Sequence, residues 1–376
     1  MNEMSPVTAA AIDPFDVTRS ELYSEDRWQE PFRKLRAESP IHYVADSKFG
    51  PYWSVTTHKP IIYIESLPKI FSSSWEYGGI TVAFDPVKLM EGEIRMPMFI
   101  AMDPPRHTGQ RRTVAPSFGP SEVAAMKAEV QQRTGELLDS LPIGERFDWV
   151  EKVSIELTTG MLAKLFDFPW AERHKLTHWS DTSGDIELLF RPNGIETRQT
   201  LLFEMGAKFA ELWQQRIANP GKDLISVMLQ SDAMSQMAQE EFIGNLIPNA
   251  VQEIIRWQTP LAHMRRTVQE DTEVDGVSMK KGDKVVLWYI SANRDESVFD
   301  DADSIRVDRE NARRHLSFGY GIHRCVGARV AELQLHILLE EMAKRRLRVN
   351  VIGEPERVEQ CFVHGFKSMQ VELSHY

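Results

Sequence analysis

Between Ile41 and Ile64 the chain sets His42-Tyr43-Val44 against Tyr52-Trp53-Ser54-Val55-Thr56 on either side of a Gly50-Pro51 turn, which predicts a small antiparallel sheet. Glycines, prolines and acidic residues interrupt any period from Phe71 to Met98. Helical spacing returns over Ser121–Leu141, opened by Pro120-Ser121 as a cap, and over Ser154–Phe166. From Thr272 to Ile290 the turn pairs Asp275-Gly276 and Lys281-Gly282 separate short β-runs, and the last fifteen residues alternate like a hairpin. Ala331, Leu335, Leu338, Leu339 and Met342 recur at helical intervals. The pattern describes a mainly α chain with small β-sheets near both ends. With no linker in sight, a flexible segment over residues 1–20 leads into a single domain over 21–376.

Composition narrows what such a chain can do. Its 376 residues carry 44 Lys and Arg against 55 Asp and Glu, a net charge of −11, with 42% hydrophobic positions. That balance excludes disorder and a surface that grips nucleic acid throughout. The apolar run Val285–Ile290 is far too short to span a membrane, and the N-terminal stretch has no basic region before an apolar block, so a cytoplasmic protein is expected. Two cysteines, Cys325 and Cys361, exclude a disulfide framework and a chain-borne iron–sulfur cluster.

Cys325 stands in Phe318-Gly319-Tyr320-Gly321-Ile322-His323-Arg324-Cys325-Val326-Gly327, just ahead of the periodic helix. A helix N-terminus offers free N–H donors and a positive dipole to a thiolate. Gly319 and Gly321 let backbone approach a flat ligand, while His323 and Arg324 can meet carboxylates at its edge. A lone cysteine is ordinarily a buried structural residue, the reading given to Cys361 as a strand position. The full spacing around Cys325 would arise by chance on the order of one time in a million. It resembles the haem-binding loop of the cytochrome P450 haem-thiolate monooxygenases. The resemblance implies the triangular, single-domain fold of that family, haem b as cofactor, and Cys325 as both catalytic thiolate and iron ligand, with Phe318, Gly319, His323 and Gly327 in the haem-binding loop.

Other segments share the resemblance. Glu253-Ile254-Ile255-Arg256 matches the family's Glu-x-x-Arg helix, whose charge cluster Arg309 would complete. Asp103-Pro104-Pro105-Arg106-His107-Thr108-Gly109-Gln110-Arg111-Arg112 matches the segment that opens a helix over the haem; His107 and Arg111, four apart, share a helical face and could meet the propionates, with Arg266 a further propionate ligand. His174 and His178 have zinc-compatible spacing but no third ligand and read as a wet helix face.

The implied chemistry is insertion of one oxygen atom of O2 into a C–H bond. The chain carries no Gly-x-Gly-x-x-Gly fingerprint, so NAD(P)H electrons must arrive through other proteins; a [2Fe-2S] ferredoxin and its reductase are what the resemblance implies. Arg111, Arg112, Arg313, Arg314, Arg324 and Arg329 could form a basic patch that steers such a partner. Several segments, among them Ile255-Arg256-Trp257-Gln258-Thr259-Pro260-Leu261-Ala262, resemble the alkane and fatty-acid terminal (omega) hydroxylases. Leu261, Ala262, Met264, Phe362 and Phe366 are then the expected substrate contacts, with the stretches Phe84–Ile100 and Asp181–Phe203. One departure stands out. Ile247 runs directly into Pro248, where the family carries a helix of about 30 residues with an acid–Thr pair for oxygen activation. Either further residues belong between 247 and 248, or the chain is a haem-binding relative without turnover.

Overall fold

The structure is a computed structural model that describes residues 13–84, 98–221, 223, 255–305 and 311–376. Glu253, Arg309 and the 247/248 junction lie outside the described residues. In chain order the helices are α1 (Glu21–Ser24), α2 (Gln29–Glu38), α3 (His58–Glu65), α4 (Arg106–Val114), α5 (Pro120–Asp139), α6 (Glu156–Phe166), α7 (His174–Gly184), α8 (Gly194–Ala218), α9 (Tyr289–Ala292) and α10 (Ala328–Lys344). The strands are β1 (Ile41–Val44), β2 (Tyr52–Val55), β3 (Phe71–Ser72), β4 (Arg146–Asp148), β5 (Met264–Val268), β6 (Thr272–Val274), β7 (Val277–Met279), β8 (Lys284–Leu287), β9 (Leu347–Val351), β10 (Glu356–Arg357), β11 (Phe366–Ser368) and β12 (Gln370–His375).

The predicted β1–β2 hairpin is present, with Ile41 opposite Val55. It is not a sheet of its own. β2 pairs in parallel with β8 and β8 pairs antiparallel with β5, giving the order β1-β2-β8-β5-β3. The two β-rich ends of the sequence thus close into one sheet, and β8 is central, which is why Val285, Val286 and Leu287 are all buried. The tail also departs from expectation. β11 pairs with β10, whereas β12 lies between β4 and β9, so the last residues serve two sheets instead of forming a hairpin.

The helical layer packs α5 against α10, with Val130, Met161, Phe166, Phe209, Val330 and Ile337 in a shared core. Helix α5 starts at Pro120 in the first helical position, where its missing N–H costs nothing; Gly119 is the cap, in place of the expected Ser121. Helix α10 forms where predicted but turns differently about its axis. Val330 and Ile337 face the core, and Leu339 is 64% exposed. Cys361, expected in a strand, sits in a fully buried bend before the isolated bridge that joins Leu261 to Val363.

Candidate functional site

The loop before α10 is closed by the Cys325 N–H donating to the Phe318 carbonyl at 2.8 Å, with a short 3-10 turn over Gly321–His323 between them. Gly319 and Gly321 adopt φ of +66° and +63°. At Gly321 glycine is needed twice: the backbone is left-handed, and a Cβ would collide with the carbonyl oxygen of Glu65 at the end of α3. Cys325 borders a cavity whose walls include Ile80, Phe99, Leu261, Met264 and Val326. Burial pushes its thiol up to about 11; the N–H groups of Gly327 and Ala328 and the guanidiniums of Arg111 and Arg324 pull the other way but are outweighed. The protein alone therefore holds a thiol there, with the groups that favour a thiolate already assembled.

One edge of the cavity is polar. Helix α4 places His107 and Arg111 on one face, as their spacing predicts, and brings the His107 ring within 4.3 Å of the His323 ring, centroid to centroid. All four ring nitrogens are buried, and among the described residues none has a hydrogen-bond partner. Burial, with Arg111 and Arg266 adding to it, lowers His107 to about 4 and His323 well below the usual imidazole range, so both are neutral at pH 7. Arg111 donates to the Arg324 carbonyl. On β5 the consecutive arginines diverge. Arg266 lines the cavity, while Arg265 donates to the carbonyls of Tyr77, Gly78 and Phe84 and braces that loop.

Orphaned buried donors are costly unless a ligand completes them. Two guanidiniums and two unpartnered imidazoles beside an apolar slot that ends in a thiol fit a flat apolar ring with acidic edge groups and a metal at its centre. The residues present fit haem.

The other expected residues separate into groups. Arg256 is buried and donates to the carbonyls of Asn293, Ala302 and Ser304, pinning the chain that follows α9. Leu261 and Met264 line the cavity. Ala262 and Phe362 do not: the Ala262 N–H donates to the Phe362 carbonyl at 2.8 Å, and both side chains belong to a neighbouring core cluster with Trp288 and Cys361. Phe366 is directed elsewhere by its strand, its ring lying against the Arg357 guanidinium at 4.8 Å. His174 pairs with Glu156 at 3.2 Å. Arg112, Arg313, Arg314, Arg324 and Arg329 are exposed, and Arg111 partly so. Sequence reasoning missed Glu65 and Tyr289, whose carboxylate and hydroxyl meet behind Arg266. A lone acid at the end of an apolar helix and a tyrosine in an apolar run carry no spacing signal.

Residues 244–358 match the family profile "Cytochrome P450". The chain is 32% identical to linalool 8-monooxygenase of Pseudomonas putida across 95% of this chain and 98% of that protein. It is 29% identical to a methyl-branched lipid omega-hydroxylase of Mycobacterium bovis, over 91% of this chain and 90% of that one. Among solved structures it is similar to CYP153D17 from Sphingomonas sp. PAMC 26605, at 56% identity and a TM-score of 0.90, covering 97% of this chain and all of that one.

Proposed function

This chain belongs to the cytochrome P450 family of monooxygenases, and on that premise we propose that it binds haem b through Cys325 and hydroxylates medium-chain alkanes or fatty acids at the terminal carbon. The observation that carries the haem reading is the cavity lined by Cys325, Arg111, Arg266 and His323, with the His107 ring against His323 and all four ring nitrogens buried without a partner among the described residues. When bound, thiolate-ligated haem supplies oxygen activation, since the sulfur's electron density favours O–O cleavage. The residues of the chain do the rest. Cys325 would hold the iron as a thiolate, a form that the Gly327 and Ala328 N–H groups and Arg111 and Arg324 favour. His107 and His323 would donate N–H hydrogen bonds to the propionates, and Arg111 and Arg266 would supply the opposing charge. The resemblance would make Glu253, Arg256 and Arg309 a structural charge cluster; of these only Arg256 lies among the described residues, where it donates to main-chain carbonyls.

The apolar wall of Ile80, Phe99, Leu261 and Met264 suits an alkyl chain, and the similarity to an omega-hydroxylase supports terminal attack. The exposed arginines around the cysteine loop support docking of an acidic [2Fe-2S] ferredoxin, reduced from NAD(P)H by its reductase. A homologous series of alkanes and fatty acids, titrated for the low- to high-spin change and then turned over with ferredoxin and reductase, tests this. Affinity should rise by roughly 0.8 kcal/mol per added methylene until the pocket is filled, with the terminal alcohol as product. An absent chain-length trend, or products hydroxylated only in mid-chain, would contradict it.

The junction at 247/248 motivates a second reading, a haem-binding relative without turnover. The alignment with linalool 8-monooxygenase extends over 402 residues, more than this chain possesses, so that protein has stretches without a counterpart here. The haem-site residues in the described segments before and after the junction, such as Arg111 and Cys325, favour a polypeptide that carries a further helix of about 30 residues between Ile247 and Pro248. An intact mass roughly 3 kDa above that of the 376-residue chain would establish that helix. A mass equal to it, with NADH consumption uncoupled from product, supports the haem-binding relative.

A further inference from the structure

Glu65 ends α3 with its carboxylate buried where the polar edge of the cavity meets the cysteine loop. Its Oε1 accepts from the Tyr289 hydroxyl at 2.5 Å and from Arg266 Nη2 at 2.6 Å, and its Oε2 accepts from the Tyr320 N–H at 2.7 Å. The side chains of Glu65 and Arg266 are 1% and 4% exposed. Nη1 of Arg266 donates to the Arg265 carbonyl at 2.7 Å, so the guanidinium is held in place beside the cavity it lines.

A buried ion pair is weak support for stability, because the desolvation of both ions offsets most of their attraction. The join between α3 and the cysteine loop does not need the charge either: the close approach of Gly321 to the Glu65 backbone makes that contact, and a neutral amide could accept from Tyr289. A neutral amide would keep one acceptor oxygen but lose the second, which takes the Tyr320 N–H; beyond acceptors, the carboxylate supplies a fixed negative charge directly behind one of the two guanidiniums at the edge of the cavity, a charge that Glu65→Asp retains.

We propose that Glu65 is a positioning residue for the haem edge: it holds Arg266 toward a propionate while cancelling part of its charge, and thereby lowers the reduction potential of the bound iron. This rests on the haem reading above. The sign follows from electrostatics, since a buried negative charge stabilises the more positive, ferric state.

The test is a spectroelectrochemical titration of the haem-loaded full chain and of Glu65→Gln and Glu65→Asp. Gln keeps the length and an acceptor oxygen but loses the charge; Asp keeps the charge and shortens the reach. At a fixed applied potential the ferrous-to-ferric ratio of Glu65→Gln should rise about three- to tenfold, the order expected for one buried charge near the ring. Glu65→Asp should stay within about twofold of the parent. A Gln variant at the parent potential, or an Asp variant that shifts as far as Gln, overturns the proposal. So does loss of haem from both variants while they remain folded by circular dichroism, because the carboxylate is then only a brace. Failure of the parent itself to give a thiolate-type carbon monoxide spectrum would remove the haem reading instead, whatever the variants do.

Discussion

Cys325 and Cys361 are both thiols pushed up by burial, yet their neighbours oppose that push in one case and reinforce it in the other. Around Cys325 stand two helix-end N–H groups and two guanidiniums; around Cys361 the carboxylates of Glu187 and Asp16 act more strongly than the opposing Lys48 ammonium. The adjacent imidazoles differ in the same sense. His263, next to Cys361, has Nδ1 2.9 Å from the Cys361 carbonyl and Nε2 accepting the Val82 N–H at 3.2 Å. His107 and His323, beside Cys325, have all four nitrogens buried and unpartnered among the described residues. One region is completed by the chain; the other keeps its ring nitrogens without a partner among the described residues, as the proposed haem site would require. Reactivity therefore lies in the surroundings of a sulfur more than in its burial.

The largest effect that would sharpen this contrast is expected from Arg266→Ala. It leaves Glu65 buried without its guanidinium, a change that typically costs about 3–5 kcal/mol, and it would remove a propionate partner of the proposed haem. Thermal melting together with haem transfer to apomyoglobin should show both losses, and a variant with parental melting and parental transfer rate would break the account. Next is acid sensitivity of the apoprotein. Because His107 and His323 are lowered by burial, the unfolded chain binds protons first as pH falls, so the stability they contribute is present above about 6.5 and is lost as pH drops toward about 4. Denaturant titrations across that window should show a steeper decline for the apoprotein than for His107→Phe, and parallel curves would count against neutral buried imidazoles.

Cys361→Ala should cost about 1–2 kcal/mol through the small void it leaves, with haem content unchanged. Altered haem content would mean that the two regions are coupled. The smallest effect is expected from Arg313→Glu with Arg314→Glu, both exposed: a few-fold rise in the KM for ferredoxin, shrinking as salt is added, with no change in melting temperature. A salt-independent loss of kcat would point away from partner steering.

What could be read from the sequence depended on how local the determinants are. The loop from Phe318 to Gly327 and the helical pair His107 and Arg111 occupy short stretches at fixed spacing; loop residues and Arg111 line one cavity, and His107 packs on its His323. The hairpin β1–β2 is equally local. Its fusion with β8 and β5 joins segments more than two hundred residues apart, which no periodicity reports. The substrate side shows the same limit. Leu261 and Met264 reach the cavity, whereas Ala262 and Phe362 pack into the next core and Phe366 turns to Arg357, because one main-chain hydrogen bond between loops and the direction of β11 decide which side chains face inward. Glu65 stayed hidden for a related reason: its partners Arg266, Tyr289 and Tyr320 come from distant segments.

The central claim is that Cys325, and not Cys361, is the sulfur that the site is built around. The reduced protein under carbon monoxide tests it most directly, measured for the parent, Cys325→Ala and Cys361→Ala side by side. The account predicts a thiolate-type spectrum for the parent and for Cys361→Ala and its complete loss in Cys325→Ala. A thiolate-type spectrum that survives in Cys325→Ala and disappears in Cys361→Ala would contradict it.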